Sequence, residues 1–174
     1  LYNKIMYKLA IFGGAFDPVH CEHTAICEAV QRELKPDRLL LLPSFNPPHK
    51  KAELMSSIED RLNLLNLIFK KVEICNFEIS SRQINYTSQT LRHFSAPNTE
   101  ILYVIGGDSM ADFLSWHKPE EICGLATLVV CHRANRQDDA DKVITYIKQN
   151  FGAKVIELDY EGKDVSSTLI RYMV

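Results

Sequence analysis

Residues 12 to 23 of this 174-residue chain read Phe12-Gly13-Gly14-Ala15-Phe16-Asp17-Pro18-Val19-His20-Cys21-Glu22-His23. An apolar stretch, Leu9 to Phe12, ends in a glycine pair, and Asp17-Pro18 leads into a helical pattern that opens with two histidines. Spaced three residues apart, both imidazoles fall on one face of a first helical turn. A helix N-terminus attracts phosphate through its free N–H groups and its dipole, and two imidazoles there add donors to a phosphate under attack. The pair has other readings. One ring could cap the helix while the other fills the core. The two could share a metal ion with help from Asp17, but no further His/Cys cluster completes a set and H-E-x-x-H is absent, so no metal ligands are assigned. The F-x-x-x-F-D-P context ahead of the pair favours phosphate. Gly13-Gly14 alone reads as a tight strand-to-helix turn, without the third glycine and ribose-binding acid of the dinucleotide fingerprint.

The elements that must position these residues alternate along the chain. Apolar or β-branched runs at Leu9–Phe12, Leu39–Leu42, Val72–Ile79, Ile101–Ile105, Leu125–Cys131 and Lys154–Leu158 read as strands. Helical spacing covers Thr24–Leu34, Ile58–Phe69 (through Leu62, Leu65 and Phe69), Thr87–Phe94, Asp108–Leu114, a short stretch from Pro119, Asp138–Asn150 and Ser166–Met173. Alternating β and α with continuous apolar strands predicts an α/β fold: one doubly wound, Rossmann-like parallel sheet covered on both faces. Ligands in such sheets bind beyond the carboxyl ends of the strands. Gly13–His23, Pro43–Lys51, Gly106-Gly107-Asp108, His132-Arg133 and Ser166-Ser167-Thr168 all follow strands, so five strand ends are expected to converge on one rim. Lys50, after a stiff proline pair, and Arg133, just past a buried strand, are candidate phosphate contacts. The Asp138-Asp139-Asp141 cluster reads as a solvated helix start.

Composition bounds the function class. The chain is 46% hydrophobic and 24% charged with a net charge of −2, which is ordinary for a soluble globular protein and gives no reason to expect nucleic-acid or membrane binding. No apolar run is long enough to cross a bilayer. One domain over 1–174 is expected, and a cytoplasmic location. Five cysteines, Cys21, Cys27, Cys75, Cys123 and Cys131, form no C-x-x-C pair, so neither a disulfide framework nor a thiolate zinc site is indicated. The leading Leu1 suggests a trimmed start, with Met6 as an alternative.

Gly13–His23 resembles the G-G-x-F-D-P-x-H-x-x-H signature of the nucleotidyltransferase superfamily, and Val165-Ser166-Ser167-Thr168-Leu169-Ile170-Arg171 is similar to its second signature, I-S-S-T-x-I-R. Three intermediate segments resemble the bacterial nicotinate mononucleotide adenylyltransferases: Pro47-Pro48-His49-Lys50, Tyr86-Thr87 with Thr90, and Ile105-Gly106-Gly107-Asp108 with Trp116 following. The resemblance implies transfer of AMP from ATP to nicotinate mononucleotide, giving deamido-NAD and pyrophosphate, with Mg²⁺ bridging phosphate oxygens. By it, His20 and His23 stabilise charge on the transferring phosphate. Gly13, Gly14, Phe16, Gly106, Asp108, Ser167, Thr168 and Arg171 serve ATP. Lys50, Thr87, Trp116 and Arg133 serve the acceptor. Thr87, at a short helix start, suits the nicotinate carboxylate; Trp116, the only tryptophan, offers an indole face to the pyridine ring. The partners implied are the two nucleotides, with a homo-oligomer left open.

The chain departs from the pattern in places. Glu22 stands where the superfamily has glycine, although a residue two beyond His20 turns about 200° away, off the phosphate face. Gly107 replaces a usual alanine and His117 a frequent aromatic. The chain ends three residues after Arg171 where relatives often continue through another helix, so a missing C-terminal segment is left open. Two alternatives stand beside the leading expectation: another transferase, for phosphopantetheine or with a cytidyl donor, and a catalytically silent nucleotide-binding module motivated by Glu22 and the short C-terminus.

Overall fold

The structure, a computed structural model, describes residues 6–45, 56–83, 85–132, 138–160, 162–163 and 165–173. Among the described residues six strands form one sheet: β1 (Tyr7–Gly14), β2 (Arg38–Pro43), β3 (Glu73–Ile74), β4 (Thr99–Gly106), β5 (Thr127–His132) and β6 (Val155–Asp159). All neighbours are parallel, in the order β3-β2-β1-β4-β5-β6. The sequence explains this directly. Strands such as Leu39-Leu40-Leu41-Leu42 are apolar at every position because helices cover both faces.

Alternate residues feed two cores, as the period of two requires. Leu9, Ile11, Leu40 and Tyr103 face one side, with Leu91 of α4 (Thr87–Phe94), Met110 of α5 (Gly107–Ala111), Ile122 of α6 (Pro119–Leu125) and Ile144 of α7 (Asp138–Asn150). Ala10, Phe12, Leu41 and Val104 face the other, with Ile26 and Val30 of α1 (Cys21–Leu34) and Leu65 of α2 (Ile58–Ile68). The strand order reverses between β1 and β4, where Phe12 pairs with Val104. The glycine ends of these two strands therefore lie side by side at the switch point, where such folds bind ligands. No described helix is long and apolar enough to cross a membrane.

The structure differs from the sequence reading in several details, among them the following. The strand expected over Val72–Ile79 pairs only at Glu73–Ile74, and α3 (Phe77–Ser81) follows. Contacts with α4 override the alternating pattern: the Phe77 ring stacks on His93, with centroids 3.9 Å apart, and Glu78 binds Thr90. The helix expected over Asp108–Leu114 ends at Ala111 and passes into a 3-10 turn, Phe113–Ser115. On α2 the fully buried face is Arg61 and Leu65, and Leu62 is only half-buried. The last helix is α8 (Ser167–Tyr172), with the Ser166 hydroxyl accepting from Leu169 N at its start.

Candidate active site

The glycine pair at the end of β1 is closely packed, and a side chain there would press on its neighbours. A Cβ on Gly13 would lie 3.1 Å from the Tyr103 hydroxyl, and one on Gly14 would lie 3.3 Å from the Phe16 ring. The chain then turns through Phe16, which adopts a positive φ of 48°. That is a rare conformation for a bulky side chain, of the kind held in place at functional sites. Phe16 is buried, with its ring centroid 5.0 Å from that of His23. Its place is beneath the histidine rather than on an open surface.

His20 is the N-cap of α1 and not a member of its first turn, and His23 is the third helical residue. The sequence expectation of two rings on one face survives for a different reason. The His20 backbone N–H donates to His23 Nδ1 at 3.2 Å, which folds the second ring back over the first. The ring centroids are 3.9 Å apart. Because Nδ1 of His23 accepts a hydrogen bond, its proton resides on Nε2. His23 thus offers one fixed donor, Nε2–H.

The two terminal signatures, about as far apart as the chain allows, are joined here. Arg171 Nη1 donates to the Asp17 carbonyl, and Ser167 Oγ donates to the Pro18 carbonyl at 2.9 Å. Arg171 also lies 3.8 Å from Asp17 Oδ2 and 3.3 Å from the Thr168 hydroxyl. Asp17 itself is 1% exposed, and its carboxylate accepts from Ser56 N at 3.3 Å.

Arg61, also 1% exposed, supports the same loop from below. Its Nη1 donates to Ala15 O and to Ser44 O, each at 2.8 Å, and its Nη2 to Phe45 O at 3.4 Å. The guanidinium thereby ties the β1 loop to the chain leaving β2. Burial pulls its pKa down from the usual range and the nearby Asp17 charge opposes that pull.

Glu22 is turned away from the histidine rings, as its helical position requires, and is 2% exposed. Its carboxylate accepts from the Tyr160 hydroxyl at 2.9 Å and from Lys163 N. The space is made by Gly162. A Cβ there would run into the Glu22 carboxylate and would lie 2.7 Å from the Tyr160 ring. The unusual glutamate therefore has its own receptor: it fastens α1 to the segment that leads into α8 and its Ser167–Arg171 signature. Gly107 is a milder departure. A Cβ there would make ordinary contact, 3.5 Å from His132 Nδ1, so either alanine or glycine suits the place.

A second cluster lies at β4. Thr87, half-buried at the start of α4, has its hydroxyl 3.5 Å from the Tyr103 hydroxyl, which is the same atom that crowds Gly13. Trp116 is half-buried, with its ring edge-on to Tyr103 at 6.3 Å and tilted against Phe113 at 5.4 Å. Gly106 and the exposed Asp108 stand on the adjacent rim, and a Cβ on Gly106 would meet open space. The structure thus groups Gly13, Thr87 and Trp116 around Tyr103, and His20, His23, Ser167 and Arg171 around the β1 loop. Lys50, its Pro-Pro-His-Lys loop, and Arg133 lie outside the described residues.

Three residues escaped the sequence reading. Tyr103 looked like another core position of a strand. Arg61 was hidden in a helix, although its spacing of four from Leu65 marks the buried stripe. Glu78 interrupts an apolar alternation, which is the signal that could have found it. Its carboxylate accepts from the Thr90 hydroxyl at 2.7 Å in a buried place. Burial pushes its pKa up from 4.5 to about 7, with the Thr90 hydrogen bond opposing the shift. The folded protein holds this proton above the pH at which the unfolded chain releases it, so stability falls as pH rises from about 4.5 to about 7. The cost approaches about 3 kcal/mol once the group is ionised in both states. In Glu78→Gln, urea unfolding across this pH window should show a flatter dependence than wild type.

Comparison with known proteins agrees with this arrangement. Residues 11–173 match the family model described as cytidylyltransferase-like. The probable nicotinate-nucleotide adenylyltransferase of Clostridium novyi is 34% identical over 172 residues, covering 95% of this chain and 86% of that protein. The protein of the same description from Endomicrobium trichonymphae is 34% identical over 174 residues, covering 97% and 86%. Among solved structures, the Plasmodium falciparum nicotinic acid mononucleotide adenylyltransferase complexed with NaAD superposes with a TM-score of 0.74 at 16% identity, covering 95% of this chain and 82% of that one. That last likeness speaks for the fold. The match to the family model and the near full-length likeness to the curated relatives show that the chain belongs to the cytidylyltransferase-like family and, within it, to the nicotinate-nucleotide adenylyltransferases.

Proposed function

We infer that this protein transfers AMP from ATP to nicotinate mononucleotide, releasing pyrophosphate and forming deamido-NAD, a step of NAD biosynthesis. The observation that carries the site assignment is the junction of the two signatures, with Arg171 and Ser167 bonded to the carbonyls of Asp17 and Pro18 just ahead of the histidine pair.

The acceptor's phosphate oxygen attacks the α-phosphorus of ATP in line, and pyrophosphate leaves with the bonding electron pair. No covalent enzyme intermediate is needed, so the protein's contribution is positioning and charge stabilisation. His23 supplies an oriented Nε2–H to the oxygens of the transferring phosphate, and His20 stands beside it at the helix N-terminus, where the dipole favours negative charge. Thr168 and Arg171 are the groups proposed for the β- and γ-phosphates, with Ser167 fixing their helix to the loop. The open space over Gly106 leaves room for the nucleotide. Magnesium, when bound with ATP, would neutralise phosphate oxygens; the exposed Asp108 on the β4 rim fits such an ion, which keeps most of its waters.

For the acceptor, Thr87 and the N–H groups opening α4 are proposed to receive the nicotinate carboxylate, and Trp116 to face the pyridine ring. Lys50 and Arg133 are proposed as phosphate contacts. A carboxylate gains more than a carboxamide from a helix N-terminus, so the acid is the preferred substrate. The test is kcat/KM for nicotinate mononucleotide against the amide nucleotide. A ratio well above one is expected; a ratio at or below one would contradict the role given to Thr87.

A further inference from the structure

A second cluster of ligating groups sits where β5, β6 and α7 meet. His132 ends β5, Glu157 lies on β6 and Asp141 in the first turns of α7. In the register of β5 with β6, Glu157 pairs with Val130 and Asp159 with His132, so His132 and Glu157 are two positions apart along one sheet face. One nitrogen of His132 and one carboxylate oxygen each from Asp141 and Glu157 lie within 4.8 Å of one another.

Two observations point to an ion rather than to a simple polar contact. His132 is 2% exposed, yet its Nε2 has no hydrogen-bond partner. A buried polar atom normally has one. Nε2 is 3.4 Å from Glu157 Oε2, without the alignment of a hydrogen bond. The second observation is that the ligand face of Glu157 is already oriented. Lys148 Nζ holds one oxygen, Oε1, at 3.2 Å, and the other, Oε2, lies 3.4 Å from His132 Nε2. Outer partners of this kind fix the aim of metal-binding carboxylates.

We propose that His132, Asp141 and Glu157 form a binding site for a first-row divalent transition-metal ion such as Zn²⁺. One imidazole and two carboxylates suit that class better than an all-oxygen site suits it, and three protein ligands leave further positions for water. Its ligands share no residue with the Asp108 rim at which magnesium is proposed to accompany ATP. Its ion would tie β5, β6 and α7 together beside the Gly106-Gly107 turn, since His132 Nδ1 stands 3.5 Å from where a Gly107 Cβ would be. The role is therefore structural support of the rim. The sequence places His132 on the rim and Asp141 in a solvated helix start but does not join them with Glu157, because the three come from separate elements and share no motif.

The experiment is calorimetric titration of Zn²⁺ into chelator-stripped, nucleotide-free protein, with thermal unfolding as a second readout. Wild type should bind one ion at this site and melt at a higher temperature with it. Asp141→Asn and Glu157→Gln should each weaken that binding by roughly tenfold or more and abolish the thermal shift. These variants keep the volume of the side chains, and circular dichroism establishes that they fold. His23→Asn and Cys21→Ser control for the histidine pair and the exposed thiol and should leave the binding in place. Absence of Zn²⁺ binding to wild type would overturn the proposal. So would binding that survives in Asp141→Asn and Glu157→Gln, or that disappears in His23→Asn or Cys21→Ser.

Discussion

His20→Ala should lower kcat roughly a hundred-fold or more while leaving the fold intact, by analogy with loss of one donor to a charged transition state. The structure makes this substitution a clean one. The hydrogen bond that shapes the start of α1 runs from the His20 backbone to His23 Nδ1, and alanine keeps that N–H. The His20 carbonyl also still accepts from His23 N, at 3.0 Å. The expected loss of stability is that of an N-cap side chain, about 1 kcal/mol. The KM for ATP should move much less than kcat, because the imidazole acts where charge grows during transfer. Steady-state kinetics with thermal unfolding on the same preparation checks both halves. Full retained activity would remove His20 from the mechanism. His23→Ala is a less clean probe, since it deletes the oriented donor and the acceptor for the His20 N–H together.

Arg61→Met should cost about 3–5 kcal/mol of folding stability, the range for removing one partner from a buried charge network. Methionine fills much of the volume, so the loss reports the polar contacts rather than a cavity. The Ala15, Ser44 and Phe45 carbonyls lose their donor, and the buried Asp17 loses a neighbouring positive charge. Urea unfolding measures the effect. Because Asp17 also receives Arg171, the variant should lose activity as well, even at temperatures where it is folded. A stability change under about 1 kcal/mol would mean that the loop stands without this support.

The residues that carry the fold were readable for physical reasons. Strands buried on both faces must be apolar throughout, so Leu39–Leu42 and Ile101–Ile105 announced a parallel sheet, and the glycine ends of β1 and β4 announced the rim. Glu73–Ile74 was over-extended because periodicity records only local pattern, whereas α3 forms through contacts of Phe77 and Glu78 with α4. The histidine pair was legible by spacing, although His20 caps the helix instead of joining it. The fate of Glu22 was half legible. Helical geometry turned it off the phosphate face, but its partners Tyr160, Gly162 and Lys163 lie some 140 residues away along the chain, as the hydrogen-bond separations of 138 and 141 show. No local pattern can report such a pairing. Arg61 and Tyr103 were missed for the same reason: each has an unremarkable place in its own element, and its importance comes from what another element brings to it.

This also revises the weight of the silent-module alternative. One of its two motives was a glutamate where closeness to a nucleotide calls for glycine. With Glu22 buried against Tyr160 and the space over Gly162, the carboxylate is accommodated beside the site without turning toward the histidine rings. The direct measurement is pyrophosphate release from ATP and Mg²⁺ with each acceptor supplied in turn, and identification of the dinucleotide formed. Release that depends on nicotinate mononucleotide, with deamido-NAD as the product, is the predicted result. Release only with phosphopantetheine or a cytidyl donor, or ATP binding without turnover on any acceptor, would contradict the account.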